Sequence, residues 1–119
     1  MDQAKELVKV IIDGLQDKKG KNIVTVDLTL LSGAICQYMV ICEGNTPTQV
    51  SALSDSVWDF VKKEIGEKPL SIDANPTSQW IGMDYGTVIV HIFVPEVRSF
   101  YNLENLWSDA KISATPDLD

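Results

Sequence analysis

Histidine occurs once in this chain, at His91, and cysteine only twice, at Cys36 and Cys42. A metal centre built on imidazole and thiolate needs several such ligands at close spacing, and the sequence has no CxxC and no second histidine. The two cysteines flank the run Gln37-Tyr38-Met39-Val40-Ile41. On an extended strand such residues share a face but lie roughly 20 Å apart. A disulfide requires Cα atoms about 4.4–6.8 Å apart, so both thiols are expected to be reduced and to pack as small apolar groups. Phosphate-cradling loops of the GxxxxGK[ST] or GxGxxG type are missing. So is a GxSxG elbow, and neither cysteine has an obvious electropositive neighbourhood, which leaves no activated nucleophile.

Long hydrophobic runs are also absent. The longest, Tyr38 to Cys42, falls far short of the roughly 20 residues that span a bilayer. The opening segment MDQAKELVKV has no apolar core of the kind a secretion signal carries, so a cytoplasmic protein without a membrane partner is expected. Basic residues are scarce: 10 Lys and Arg stand against 17 Asp and Glu, a formal charge of −7. Such a surface repels phosphate, which argues against direct nucleic-acid binding and suits a basic protein partner better.

What remains is the composition of one soluble domain, 45% hydrophobic and 23% charged over 119 residues. Leu7, Val8, Ile11, Ile12 and Leu15 recur at helical spacing and predict an amphipathic first helix that stops in KKGK, with Gly20 in the left-handed capping conformation. NIVTVDL, ending near Asp27 or Leu28, and YMVIC read as strands separated by Ser32-Gly33. The clearest helix start is NTPTQV: Thr46 as N-cap, Pro47 at the first helical position and Gln49 placed as in a capping box. Val50, Leu53, Val57, Phe60, Val61 and Ile65 then form a buried stripe with Trp58 at its edge, and Gly66 is the stop. A short strand near Leu70 to Asp73, a hairpin, and short helices after Pro95 and through Leu103 to Trp107 complete the order. The pattern predicts an α/β (α+β) domain with a mixed sheet of four to five strands flanked by helices, one domain over 1–112 and a frayed tail over 113–119.

The hairpin SQWIGMDYGTVIVHIF holds the residues with chemical reach. Both faces of its second strand are mostly apolar. His91 lies between Ile89 and Phe93, as a structural histidine with a satisfied hydrogen bond does, rather than a general base. In the first strand, Ile81 and Met83 alternate with Trp80, Gly82 and Asp84. With the first pair in the core, Trp80 and Asp84 share the opposite face, Gly82 leaves a flat spot between them, and Tyr85 joins them at the turn. On spacing alone a contact rim and a buried Trp with a turn Asp are equally compatible with this pattern.

The run from Trp80 through Trp107 closely resembles the ribosomal silencing factor family, also called the Iojap family. It matches in the Trp, DYG, VIVHIF, the E-x-x-R-x-F-Y segment of Glu96 to Tyr101, and LE-x-LW-x-DA. The resemblance extends upstream over YMVICEGN and the following helix, and so covers nearly the whole domain. It implies a nucleotidyltransferase-like fold without the catalytic carboxylates, since Ser32-Gly33 is followed by Gln37-Tyr38-Met39 with no acid. It implies a protein that is not an enzyme and has no cofactor or metal. Such a protein binds the large ribosomal subunit through the basic ribosomal protein number fourteen and sterically blocks joining of the small subunit, repressing translation. The partner-binding residues it implies are Trp80, Met83, Asp84 and Tyr85. Glu96 and Arg98 fit a local ion pair at the Pro95 turn. A residual nucleotidyltransferase-like or nucleotide-binding enzyme around Ser32 and Gly33 is the alternative from another class, and a ribosome-assembly factor could use the same surface. A homodimer, with Trp107 or the helix faces at its contact, is left open.

Overall fold

In the computed structural model, which describes residues 3–31, 33–106 and 110–117, the chain runs α1 (Gln3–Asp17), β1 (Lys21–Asp27), β2 (Tyr38–Glu43), α2 (Pro47–Glu64), β3 (Ser71–Ala74), β4 (Trp80–Asp84), β5 (Val88–Phe93), α3 (Pro95–Tyr101), α4 (Leu103–Leu106) and β6 (Lys111–Thr115). The strands form one open sheet in the order β3-β4-β5-β2-β1-β6. Its central pair, β2 with β5, is parallel, and every other pair is antiparallel. The mixed α+β class expected from the pattern is what forms, with six strands rather than four to five.

Local chemistry explains most boundaries. Thr46 caps α2 with its hydroxyl accepting from Gln49 N–H at 3.1 Å, and Pro47 opens the first turn. The Gln49 side chain returns to Asn45 N–H at 2.7 Å, one residue before the cap, and so closes the expected box in a widened form. Gly66 ends the helix at φ 82, donating to the carbonyls of Val61 and Lys62. The end of α1 differs from expectation: Lys19, at φ 58, takes the left-handed position and Gly20 does not. Gly20 is needed for closeness instead. A Cβ there would lie 2.5 Å from Cys42 Sγ and 3.1 Å from a Leu53 methyl, where the helix end packs onto β2 and α2.

The sheet has two unequal faces. On one, α1 and α2 pack over Val40, Cys42, Val88, Val90 and Ile92 to form the larger core, with Trp58 partly buried at its edge. On the other, Val26, Met39, Ile41 and Phe93 form a smaller core with Leu103 and Ala110 packed against it. Both cysteines are buried and free. Arg98 of α3 pairs with Glu43 at 3.0 Å and donates to the Asn22 carbonyl, fastening the helix to the ends of β1 and β2. The local Glu96–Arg98 brace expected at the Pro95 turn is thus replaced by a long-range pair, and Glu96 is exposed in the first turn of α3.

The frayed tail is also corrected. Lys111–Thr115 pairs antiparallel with β1 from Asp27 to Ile23, and Asp117 accepts from Asn22 N–H at 2.9 Å, so the domain runs past 112. Ile112 and Ala114 lie opposite Val26 and Val24 and extend the apolar side of that strand. Ser32 and Trp107 lie outside the described residues. Replacing Gly20 with Ala is expected to destabilise the fold by about 1–3 kcal/mol, because the new methyl overpacks against Cys42 and Leu53. Chemical denaturation of the variant beside the wild type checks this.

Candidate protein-docking face

Trp80 enters β4 from a tight connection. The Asn75 carboxamide accepts from Gln79 N–H at 2.8 Å and Trp80 N–H at 3.2 Å, and Asn75 N–H donates to the Trp80 carbonyl. The indole then folds back over Gly82, where a Cβ would come within 2.8 Å of Cζ2. The flat spot anticipated at Gly82 is therefore filled by the protein's own Trp80. Across the strand pair, Trp80 Nε1–H donates to His91 Nδ1 at 3.1 Å, and the two rings stack with centroids 6.0 Å apart. Phe93 stacks on His91 at 5.9 Å, and Tyr101 of α3 lies 5.9 Å from Phe93.

His91 is a half-buried acceptor, and burial pushes its pKa down to about 4. An imidazole that accepts at Nδ1 carries its proton on Nε2, and one this weakly basic is poorly matched to proton transfer near neutral pH. The structural reading of His91 holds, with Trp80 as its partner. The two residues lie on different strands of the hairpin, eleven apart in the chain. The register across the hairpin, Trp80 opposite Phe93 and Gly82 opposite His91, reunites them.

Asp84 closes β4 with its carboxylate accepting from Gly86 N–H at 2.7 Å. Gly86 sits at φ 88, as the first central position of a two-residue hairpin turn requires, and Tyr85 N–H donates to the Val88 carbonyl. Asp84 and Trp80 share the face away from α1 and α2. Met83 and Tyr85 do not. Met83 is 0% exposed and accepts a hydrogen bond from the Ser54 hydroxyl, and Tyr85 is 6% exposed within the helix-side core. Burial holds the Tyr85 phenol well above its ordinary pKa, and its hydroxyl has no partner among the described residues. Of the four residues expected on one rim, the structure brings two to the open face and sets two beneath it.

Catalytic groupings are sparse. Among the described residues no three His, Cys, Asp or Glu side chains gather as metal ligands. A polar cavity of about 590 Å3 between Asn22, Glu43, Arg98, Asn102 and Asp117 exists, but Glu43 and Arg98 are bonded to each other across it. Gln37, where a catalytic strand acid would stand, is exposed just before β2. No helix among the described residues is long and apolar enough to cross a membrane.

The depressed pKa of His91 gives a pH signature. The unfolded chain takes up this proton near pH 6.5 and the folded one near 4, so the unfolded state binds more protons in between and stability falls as the pH is lowered through that window. His91→Gln, which keeps an acceptor for Trp80, is expected to flatten the loss by up to about 3 kcal/mol between pH 7 and 4. Denaturant midpoints of the two proteins at each pH measure it.

Comparison with known proteins identifies the family and the fold. The family model described as "Ribosomal silencing factor during starvation" matches residues 1–119. The "Ribosomal silencing factor RsfS" of Zymomonas mobilis is 38% identical over 110 residues, covering 92% of this chain and 81% of that protein. The Bacillus subtilis protein of the same name is 33% identical over 115 residues, covering 97% and 93%. A crystal structure of a protein from Chromobacterium violaceum superposes with a TM-score of 0.83 at 33% identity, over 97% of this chain and 94% of that one. The family-model match over residues 1–119, the relatives at 33–38% identity over most of their length and the shared fold show that the chain belongs to the ribosomal silencing factor family.

Proposed function

We propose that this protein, in the cytoplasm, docks through the open face of β4 on ribosomal protein number fourteen of the large ribosomal subunit and blocks the small subunit from joining. It is then a regulatory factor whose effect on translation is steric, with no catalytic step. The observation that carries the reading is Trp80. A large aromatic is held partly exposed, with its ring fixed by His91 and Gly82 and its only polar atom already bonded inside the protein. Such an anchor loses little side-chain freedom when a partner covers it. Asp84 beside it, on a chain of net charge −7, matches a basic partner. Met83 and Tyr85 enter the proposal as packing that sets the position of β4, since their side chains do not reach the open face.

Purified protein added to isolated subunits is expected to lower the yield of joined ribosomes and to sediment with free large subunits. Trp80→Ala should weaken that binding by about 2 kcal/mol or more, roughly a factor of 30 in affinity, and Asp84→Asn by less. Co-sedimentation of Trp80→Ala at wild-type level would show that the face is wrong, and normal subunit joining despite tight binding would show that the steric reading is wrong.

A further inference from the structure

Three strands present a single patch on the open face. Asp73 of β3 lies opposite Gly82 of β4, which lies opposite His91 of β5, so all three face the same way as Trp80 and Asp84. The indole over Gly82 divides the patch. On one side Trp80, His91, Phe93, Tyr101 and Leu103 line an apolar groove of about 220 Å3. Tyr101 is 54% exposed along it. On the other side stand two carboxylates. Asp73 is exposed opposite Gly82, and Asp84, opposite Ser71, is its diagonal neighbour at the distance, about 7–8 Å, usual for such pairs. The bond from Gly86 N–H orients the Asp84 carboxylate and uses one of its roughly four acceptor positions.

The occupant must satisfy three conditions at once: an apolar stem for the groove, a flat group for the indole, and positive charge for the two acids. Arginine meets all three. Its guanidinium stacks on aromatic faces and forks toward two acceptors, and its methylenes pack against apolar surface. A lysine ammonium is a strongly hydrated point charge that gains less from a ring face. Nucleic-acid bases would stack, but their phosphates would meet Asp73, Asp84 and a chain of net charge −7. A purely apolar side chain would leave both carboxylates desolvated without a partner.

We propose that this groove is an arginine pocket. It accepts an arginine projecting from the basic protein partner, with the guanidinium over the Trp80 indole near Asp73 and Asp84 and the stem against His91 and Tyr101. The proposal rests on the docking reading above and adds the identity of the captured side chain, together with Asp73 and Tyr101, to it.

The test follows the Trp80 indole N–H resonance, assigned by its loss in Trp80→Phe, in the full chain titrated with acetyl-Gly-Arg-Gly-amide. Parallel titrations use the Lys and Gln analogues and tetrauridylate. A saturable shift with the arginine peptide is expected, with weaker binding of the lysine peptide and none of the glutamine peptide. In Asp73→Asn/Asp84→Asn the affinity should fall about tenfold, as loss of one exposed and one half-buried charge contact implies. Tyr101→Ala should weaken binding several-fold without abolishing it. Equal shifts with the glutamine or lysine peptide, saturation by tetrauridylate, or unchanged affinity in the double variant would each overturn the proposal. Co-sedimentation with large subunits separates the two readings. If Trp80→Ala releases the protein from subunits and no arginine peptide binds, the pocket is wrong and the docking face stands. If the peptide binds but the wild type never sediments with subunits, the pocket stands and the ribosomal reading falls.

Discussion

The parallel pairing of β2 with β5, Tyr38 beside Val88 through Glu43 beside Phe93, constrains everything around it. Parallel neighbours cannot be joined by a tight turn, so the chain between them must travel back over the sheet. Here that crossover carries α2 and then the β3–β4 hairpin, and α1 packs beside α2 on the same face. The helical cover is thereby concentrated on one side. Among the described residues, the helices on the other side are α3 and α4, of seven and four residues, which follow β5 directly and are joined there by the β1–β2 connection. They cover Met39, Ile41 and Phe93 and leave β4 and β3 open. The partial exposure of Trp80 is a consequence of topology, not of a local decision at the hairpin.

Much of this was legible because the local signals agree with the tertiary outcome. The stripe of α2, its Thr46-Pro47-Gln49 start and its Gly66 stop all rest on interactions within a few residues, and each was readable. What was not legible depended on distant partners. β6 offers only a short alternation, Lys111-Ile112-Ser113-Ala114-Thr115, bounded by Pro116, and acquires its meaning from the free edge of β1. Gly20 looked like a cap because it followed a helix, but Cys42 and Leu53, far along the chain, are what exclude a side chain there. Arg98 likewise found Glu43 across the fold rather than Glu96 beside it.

The residues expected at the docking rim show the same division. Alternation correctly put Trp80 and Asp84 on one face and Met83 on the other, since a pleat assigns faces whatever surrounds the strand. The expectation that Tyr85 joins the rim at the turn set that alternation aside: Tyr85 lies two residues beyond Met83, its N–H still pairs with the Val88 carbonyl, and the pleat therefore carries it to the core side. Here the helix-side core takes the ring, and its hydroxyl has no partner among the described residues. Tyr101 could not be connected to Trp80 from sequence at all. Their connection runs through Phe93 and the way α3 folds back over β5.

A factor that acts by occupying space needs a contact surface that is the same whenever the partner arrives. The aromatic row on the open face satisfies this through the weak basicity of its imidazole. Burial keeps the pKa of His91 near 4, so the imidazole is neutral across ordinary cellular pH and remains an acceptor for the Trp80 N–H. Were His91 protonated, both of its nitrogens would be donors, the bond to Trp80 would be lost, and a positive charge would stand beside the face proposed to meet a basic partner. Burial that makes His91 useless as an acid–base catalyst is therefore what makes it useful as a support. The imidazole that sequence spacing marks as structural holds the indole still, so that the shape of this face does not change with protonation across ordinary cellular pH.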